Sequence, residues 1–402
     1  MHAFSLRNVC GWLLVLNLFL MRPAALGQDF TNVAILLAGG AVLCKLLMQG
    51  RGAEKLSKGQ VRRSLYIFSL LVFYYLYLFL IGGLSGAANY DLFVRELLSV
   101  FLVFLMYLIV LSDLKENALF FRRLSLVVAV IGWSGVVTAV LIPFVGLDSL
   151  HLFNVGVSGY QNTEDVEVAV GAVYFPFSMV YSTFSTDDFQ FVRFNGFFRE
   201  AGIYQAICCY CFVCEFFSRK SRFVLLGLVG GVLISLSTAG VAVFLITLGA
   251  VFLVRSKFTA QRFVMLLLVI AAAVPVVLYA PYVGILSKTE THSDSVSDRQ
   301  EAVERGLSLV LENPMGLGLG GVKAKNASIN LIAALGSIGV VGFVLQVIIL
   351  SGIGGGGRAK LRVIAFLPLV LTALFSQPLI GAPAVYVLLL VCFDNRASKS
   401  TV

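Results

Sequence analysis

Apolar residues in this 402-residue chain gather into blocks long enough to cross a lipid bilayer, and this constrains the fold more than any other feature. The blocks run at 8–21, 31–48, 65–84, 97–111, 124–146, 201–217, 223–236, 241–254, 263–280, 327–350, 363–379 and 384–393. A helix spanning the ~30 Å hydrocarbon core needs about 20 mostly apolar residues. No water satisfies the backbone there, so spanning segments are helices unless they close into a barrel. The expected fold is therefore all-α, a polytopic integral membrane bundle of about 12 transmembrane helices; the short first and last blocks widen the count to ten to twelve. A single integral membrane domain over residues 1–402 is expected. Composition agrees: 59% of residues are hydrophobic and 13% charged, against about a quarter charged in soluble domains. A soluble enzyme, a disordered chain and a disulfide scaffold are excluded. The first block runs closely into the second, and no clear small-residue cleavage site follows Met21, so it reads as a helix rather than a removed signal.

Charge supplies the threading. A net charge of +9 would point to nucleic acid in a soluble protein. Here the basic residues follow membrane topology and form no patch interleaved with aromatics, so no nucleic-acid partner is expected. With the N-terminus inside, most of the 30 basic residues fall in cytoplasmic segments, among them Arg51, Lys55, Lys58, Arg62 and Arg63. Most of the 21 acidic residues fall outside. The positive-inside rule then places both termini in the cytoplasm. Lys45 lies within the second block near its cytoplasmic end, where a long stem can snorkel to the headgroups. As one helix, 223–254 would measure about 48 Å. Arg222 precedes it and Arg255 and Lys257 follow it, which favours a hairpin of two short helices turning at Ser235-Leu236-Ser237-Thr238-Ala239-Gly240.

Two external segments are long, 147–200 and 281–326, and function is expected there. The second holds an amphipathic helix near 298–311, opened by Asp298 and Glu301 as a capping pair. Asn313-Pro314 ends that helix, and Gly316, Gly318, Gly320 and Gly321 make a flexible return to the bilayer. External basic residues are few: Arg193 and Arg199 close the first loop, and Arg299, Arg305, Lys323 and Lys325 sit in the second. Each either pairs with a neighbouring acid, as Arg305 can with Glu301 at i−4, or holds an anion. Guanidinium groups suit phosphate because they fork two hydrogen bonds onto it, and a diphosphate-linked lipid at the bilayer edge would need such a clamp. Glu200 opens a membrane helix, either as a favourable charge at a helix N-terminus or as a general base beside the arginines; Glu304 and Glu312 are weaker candidates. All seven cysteines lie in apolar segments, so no disulfide framework is implied. Cys208, Cys209, Cys211 and Cys214 read as small hydrophobes. His2, His151 and His292 lack ligand spacing, so no metal and no other cofactor is expected. The glycines 354–357 form a linker rather than a phosphate cradle.

Three stretches in order resemble the O-antigen polymerase/ligase superfamily, the Wzy-like polymerases and O-antigen ligases, over roughly 193–350. The first is Arg193-Phe194-Asn195-Gly196-Phe197-Phe198-Arg199-Glu200-Ala201-Gly202, similar to the family's R-x-x-G-x-F-x-E-P-G, with Ala201 in place of proline. The second is Ser235-Leu236-Ser237-Thr238, similar to S-x-S-R/T. The third runs from Asp298-Arg299 to Pro314-Met315-Gly316-Leu317-Gly318, similar to R-…-P-x-G-x-G, and is followed by a helix with Gly336, Ile338, Gly339 and Gly342. Ligases carry a His-Asn pair before that helix; here the pair is Lys325-Asn326, which favours a polymerase. The resemblance implies a bundle like the GT-C membrane glycosyltransferases and an undecaprenyl-diphosphate-linked oligosaccharide as substrate. It also implies metal-independent, inverting transfer at the outer leaflet of the cytoplasmic membrane. Glu200, Arg193 and Arg299 would be catalytic, and Arg199, Arg305, Lys325 and Asn326 would bind substrate. A chain-length regulator and a flippase of the same pathway would be its protein partners. The rival readings are an O-antigen ligase acting on lipid A core or protein and a lipid-linked oligosaccharide flippase. The flippase reading lacks internal repeats and any acid at mid-span.

Overall fold

The computed structural model describes residues 6–27, 29–49, 58–87, 89–155, 171–185, 190–255, 293–322, 327–352, 359–377 and 379–393, with 264 and 271. These residues are mostly helical. The helices are α1 (Leu6–Leu18), α2 (Thr31–Gln49), α3 (Lys58–Ser85), α4 (Tyr90–Leu111), α5 (Leu114–Val145), α6 (Ala201–Ser218), α7 (Arg222–Ile234), α8 (Thr238–Arg255), α9 (Ser293–Glu312), α10 (Leu335–Leu350), α11 (Ala359–Phe375) and α12 (Pro383–Leu388). Five of them, α2 to α6, are long and apolar enough to cross a membrane. The expectation of about twelve crossings is thus met only in part. Helices α1, α7, α8 and α10 are apolar but shorter. The expected ninth crossing, 263–280, falls outside the described residues apart from 264 and 271. The last block gives only the six-residue α12, which is buried throughout.

The chain divides into two compact units, one from residues 1–61, 102–237 and 382–402, the other from 62–101 and 238–381. The first is built on α5. Its face of small residues, including Ala129, Gly132, Ser134 and Gly135, is buried. A Cβ on Gly132 would lie 2.1 Å from the Gly227 carbonyl oxygen of α7, so the two backbones touch, as small residues allow in membrane helices. The segment after α5, read from sequence as loop, contains a four-stranded antiparallel meander: β1 (His151–Asn154), β2 (Ala172–Tyr174), β3 (Ser178–Ser185) and β4 (Gln190–Phe194). One side of it packs on α5 through Ala172, Tyr174, Val180, Val192 and Phe194, together with Leu147 and Leu150 of the turn before β1.

Lys45 does not snorkel. It is buried, and its Nζ lies 2.7 Å from Asp113 Oδ2, also buried. Asp113 caps α5 by accepting from the Lys115 N–H, and Arg7 reaches Asp113 and bonds to Glu116. A buried lysine needs such a partner because the desolvation of an unpaired charge is not repaid.

In the second unit, α9 begins at Ser293, before the expected start, so Asp298 and Glu301 lie inside the helix and do not cap it. The helix does end before Asn313, at Glu312, and the glycine segment that follows is pinned rather than flexible. Leu317 and Gly318 donate their N–H groups to the carbonyls of Gly336 and Ser337 (3.0 and 2.9 Å), and Val340 donates to Pro314 (2.9 Å). The Tyr77 hydroxyl donates to the Met315 carbonyl at 2.7 Å, and the Ser85 hydroxyl to that of Leu317 at 2.8 Å. This packing breaks α10 at Gly339 (φ 65°, ψ 178°), a conformation open essentially to glycine alone.

Two outcomes follow. Lys45→Met leaves the Asp113 charge buried without its lysine and lowers stability by about 3–5 kcal/mol, whereas the Lys45→Met/Asp113→Asn pair, which keeps a capping side chain, recovers most of the loss. Gly339→Ala costs about 1–3 kcal/mol in backbone strain, to which is added a Cβ only 2.2 Å from the Met315 carbonyl oxygen. Thermal unfolding in detergent measures both, with Gly39→Ala as the control because nothing lies within 4 Å of its Cβ position.

Candidate functional site

The loop 195–200 joins β4 to α6 and holds the first motif. Asn195 is fully buried; its N–H donates to the Met179 carbonyl (3.1 Å) and its Nδ2 to that of Phe198 (2.6 Å). Gly196 takes a positive φ of 55°, and a Cβ there would sit 2.3 Å from the Tyr204 ring, so only glycine fits. Phe197 also has a positive φ, 66°, strained for a bulky side chain. The loop is clamped from outside by the chain that follows α1. Ala25 donates its N–H to the Phe197 carbonyl (2.8 Å) and Arg199 donates to that of Pro23 (3.0 Å). Phe198 stacks on Tyr204 with 6.1 Å between ring centroids.

Arg193 lies on β4 and is partly exposed; its Nε donates to the Ser235 carbonyl at 3.1 Å. Ser235 closes α7, so this bond ties the first motif stretch to the second. Arg199 and Glu200 are partly exposed at the start of α6. Glu200 is the N-cap residue, its backbone carbonyl accepting from Ile203 and Tyr204 while its carboxylate makes no capping bond. The structure therefore places Arg193, Arg199 and Glu200 in the first unit, on β4 and on the loop that leads into α6. Arg299 and Arg305 lie on α9 in the second unit. Arg305 sits 3.9 Å from Glu301, and Glu304 accepts from Gln300. Lys323, Lys325 and Asn326 lie outside the described residues.

Sequence reasoning missed two neutral residues. Gln205 is fully buried on α6, and its Nε2 donates to the Val232 carbonyl (3.3 Å), which also accepts from the Ser235 hydroxyl (2.7 Å). Gln205, Val232, Ser235 and Arg193 thus form one hydrogen-bonded chain from α6 to β4. The Oδ1 of Asn195 and the Oε1 of Gln205 are buried without a hydrogen-bond partner within the protein, a state that costs free energy. The only signal at Gln205 was a polar residue in an apolar block, and Asn195 stood in the first motif without an assigned role.

Chemically, β4 and the loop into α6 carry guanidinium and carboxylate groups, the types that suit a phosphate and a proton transfer. Among the described residues no three His, Cys, Asp or Glu side chains gather to hold a metal ion. The four clustered cysteines of α6 are free and buried. No protein-family model, no curated protein and no solved structure matches this chain.

Proposed function

We propose that the chain is a polysaccharide polymerase that joins oligosaccharide repeat units carried on undecaprenyl diphosphate at the outer leaflet of a bacterial cytoplasmic membrane. The observation that carries this reading is the hydrogen bond from Arg193 to Ser235. It couples two motif stretches that are remote in sequence, as residues serving one site would be. The packing of Gly316 and Gly318 against the Gly336–Gly339 backbone gives the third stretch the same character, a fixed backbone rather than a flexible connection.

In the proposed reaction an acceptor sugar hydroxyl attacks the anomeric carbon of the donor chain. The bond from that carbon to the diphosphate oxygen breaks, and the lipid diphosphate leaves. Glu200 takes the hydroxyl proton. Arg193, with Arg199 beside Glu200, neutralises the charge that develops on the leaving group, where a fixed donor is worth most. Arg299, Arg305, Lys325 and Asn326 are assigned to the same substrate from the second long loop.

Gels of surface glycan from a deletion strain test the reading. A single repeat unit left on its acceptor supports a polymerase. Glycan absent from the acceptor points to a ligase, and loss of outer-leaflet lipid-linked units points to a flippase. At the residue level, Glu200→Gln should abolish polymer at normal membrane abundance; near-normal chain lengths would end its assignment as base. Arg193→Ala should cost on the order of 2–4 kcal/mol of transition-state stabilisation, two to three decades in rate. Lysine should restore little, because it reproduces neither the Ser235 contact nor a forked grip on phosphate.

A further inference from the structure

Helix α5 carries its own depth scale. Its last exposed charge is Arg122, and its exposed side chains from there on are apolar: Val130, Val137, Val140, Phe144 and Val145. From Arg122 to Phe144 the helix rises about 33 Å, close to the ~30 Å of a hydrocarbon core. The β2–β3 turn, Phe175-Pro176-Phe177, is fastened well inside that interval. The Phe177 N–H donates to Ser134 Oγ at 3.0 Å, and the Thr138 hydroxyl lies 2.7 Å from the Phe175 carbonyl oxygen and 2.6 Å from the Ser178 hydroxyl. Ser134 and Thr138 are about 9–15 Å below Phe144 along the helix. A Cβ on Gly135 would touch Ile234 and Phe194, so β4 and the end of α7 share that depth.

Irregular backbone at membrane depth persists only where its polar groups are satisfied by protein or face a hydrated recess, and the Ser134 and Thr138 contacts meet that condition. The aromatic side chains at this level are nevertheless open. Phe175 and Phe177 are each 50% exposed and Phe153 is 45% exposed. Phe177 stacks on Phe197 with centroids 4.9 Å apart, and Phe153 sits 6.2 Å from Phe177. This row ends on Phe197, the strained residue of the motif loop, two residues before Arg199.

We propose that the β2–β3 turn is a re-entrant element embedded in the bilayer, and that Phe153, Phe177 and Phe197 seat the isoprenoid chain of the lipid-linked substrate. The proposal rests on the lipid-linked donor proposed above. An isoprenoid presents flat, methyl-branched double bonds that can lie against ring faces; saturated acyl chains offer no such face. A tail held there runs toward Arg199 and Glu200, so the row aims the diphosphate at the motif loop.

The test uses the full chain in lipid nanodiscs. Native Trp12 and Trp133 are replaced by phenylalanine, and a single probe is introduced as Phe177→Trp, with Phe153→Trp as a second probe in case the first fails to fold. Phospholipids brominated along the acyl chain should quench the probe, and aqueous iodide should not. Undecaprenyl phosphate should then relieve the quenching, while phosphatidic acid with ordinary acyl chains should not. A probe at Phe144→Trp, on the lipid face of α5, should be quenched by the same lipids and left unrelieved. Iodide quenching without bromolipid quenching would overturn the re-entrant placement. Bromolipid quenching that undecaprenyl phosphate leaves unchanged would overturn the isoprenoid seat. None of these readouts needs catalysis, so relief of quenching in a protein whose deletion leaves polymer intact would refute the polymerase reading and keep the seat.

Discussion

The near-contact between α5 and α7 is the constraint from which the first unit follows. With glycine at 132 and 227 the two helices meet backbone to backbone, and no larger side chain could stand between them. That closeness places the end of α7, and with it the Ser235 carbonyl, within reach of Arg193. The same small-residue face of α5 leaves room for a turn of sheet to lie against Ser134 and Thr138. In a membrane, where no hydrophobic force drives helices together, such close packing and a few hydrogen bonds carry the association.

The motif residues have packing reasons as well as the roles assigned to them. Gly196 is glycine because the Tyr204 ring fills the space of a side chain, and Gly316 and Gly339 because two backbones abut. A motif can therefore be legible as spacing while its letters report architecture. The charged letters are different. Arg193, Arg199 and Glu200 all stand partly open, and the guanidinium of Arg193 holds the end of α7 through the Ser235 carbonyl.

Hydropathy located α1 to α8, because each is a run of local sequence with one preference, and the basic residues around 223–254 correctly divided α7 from α8. Asn313-Pro314 marked the end of α9. The sheet was not legible. Its strands are short, and β1 is exposed at all four positions while β2 is buried at all three, so neither alternates as a half-buried strand would. Lys45 was misplaced for a related reason, since its partner lies 68 residues away and single-helix hydropathy cannot see it. Gln205 and Asn195 gave no signal beyond being polar, because their meaning lies in the carbonyls they face.

The Lys45–Asp113 pair joins residues 68 positions apart, so the lysine of α2 gains its buried partner only once the chain has reached the start of α5. An unpaired buried ammonium would be costly, and the burial of Lys45 is therefore conditional on α5 being in place.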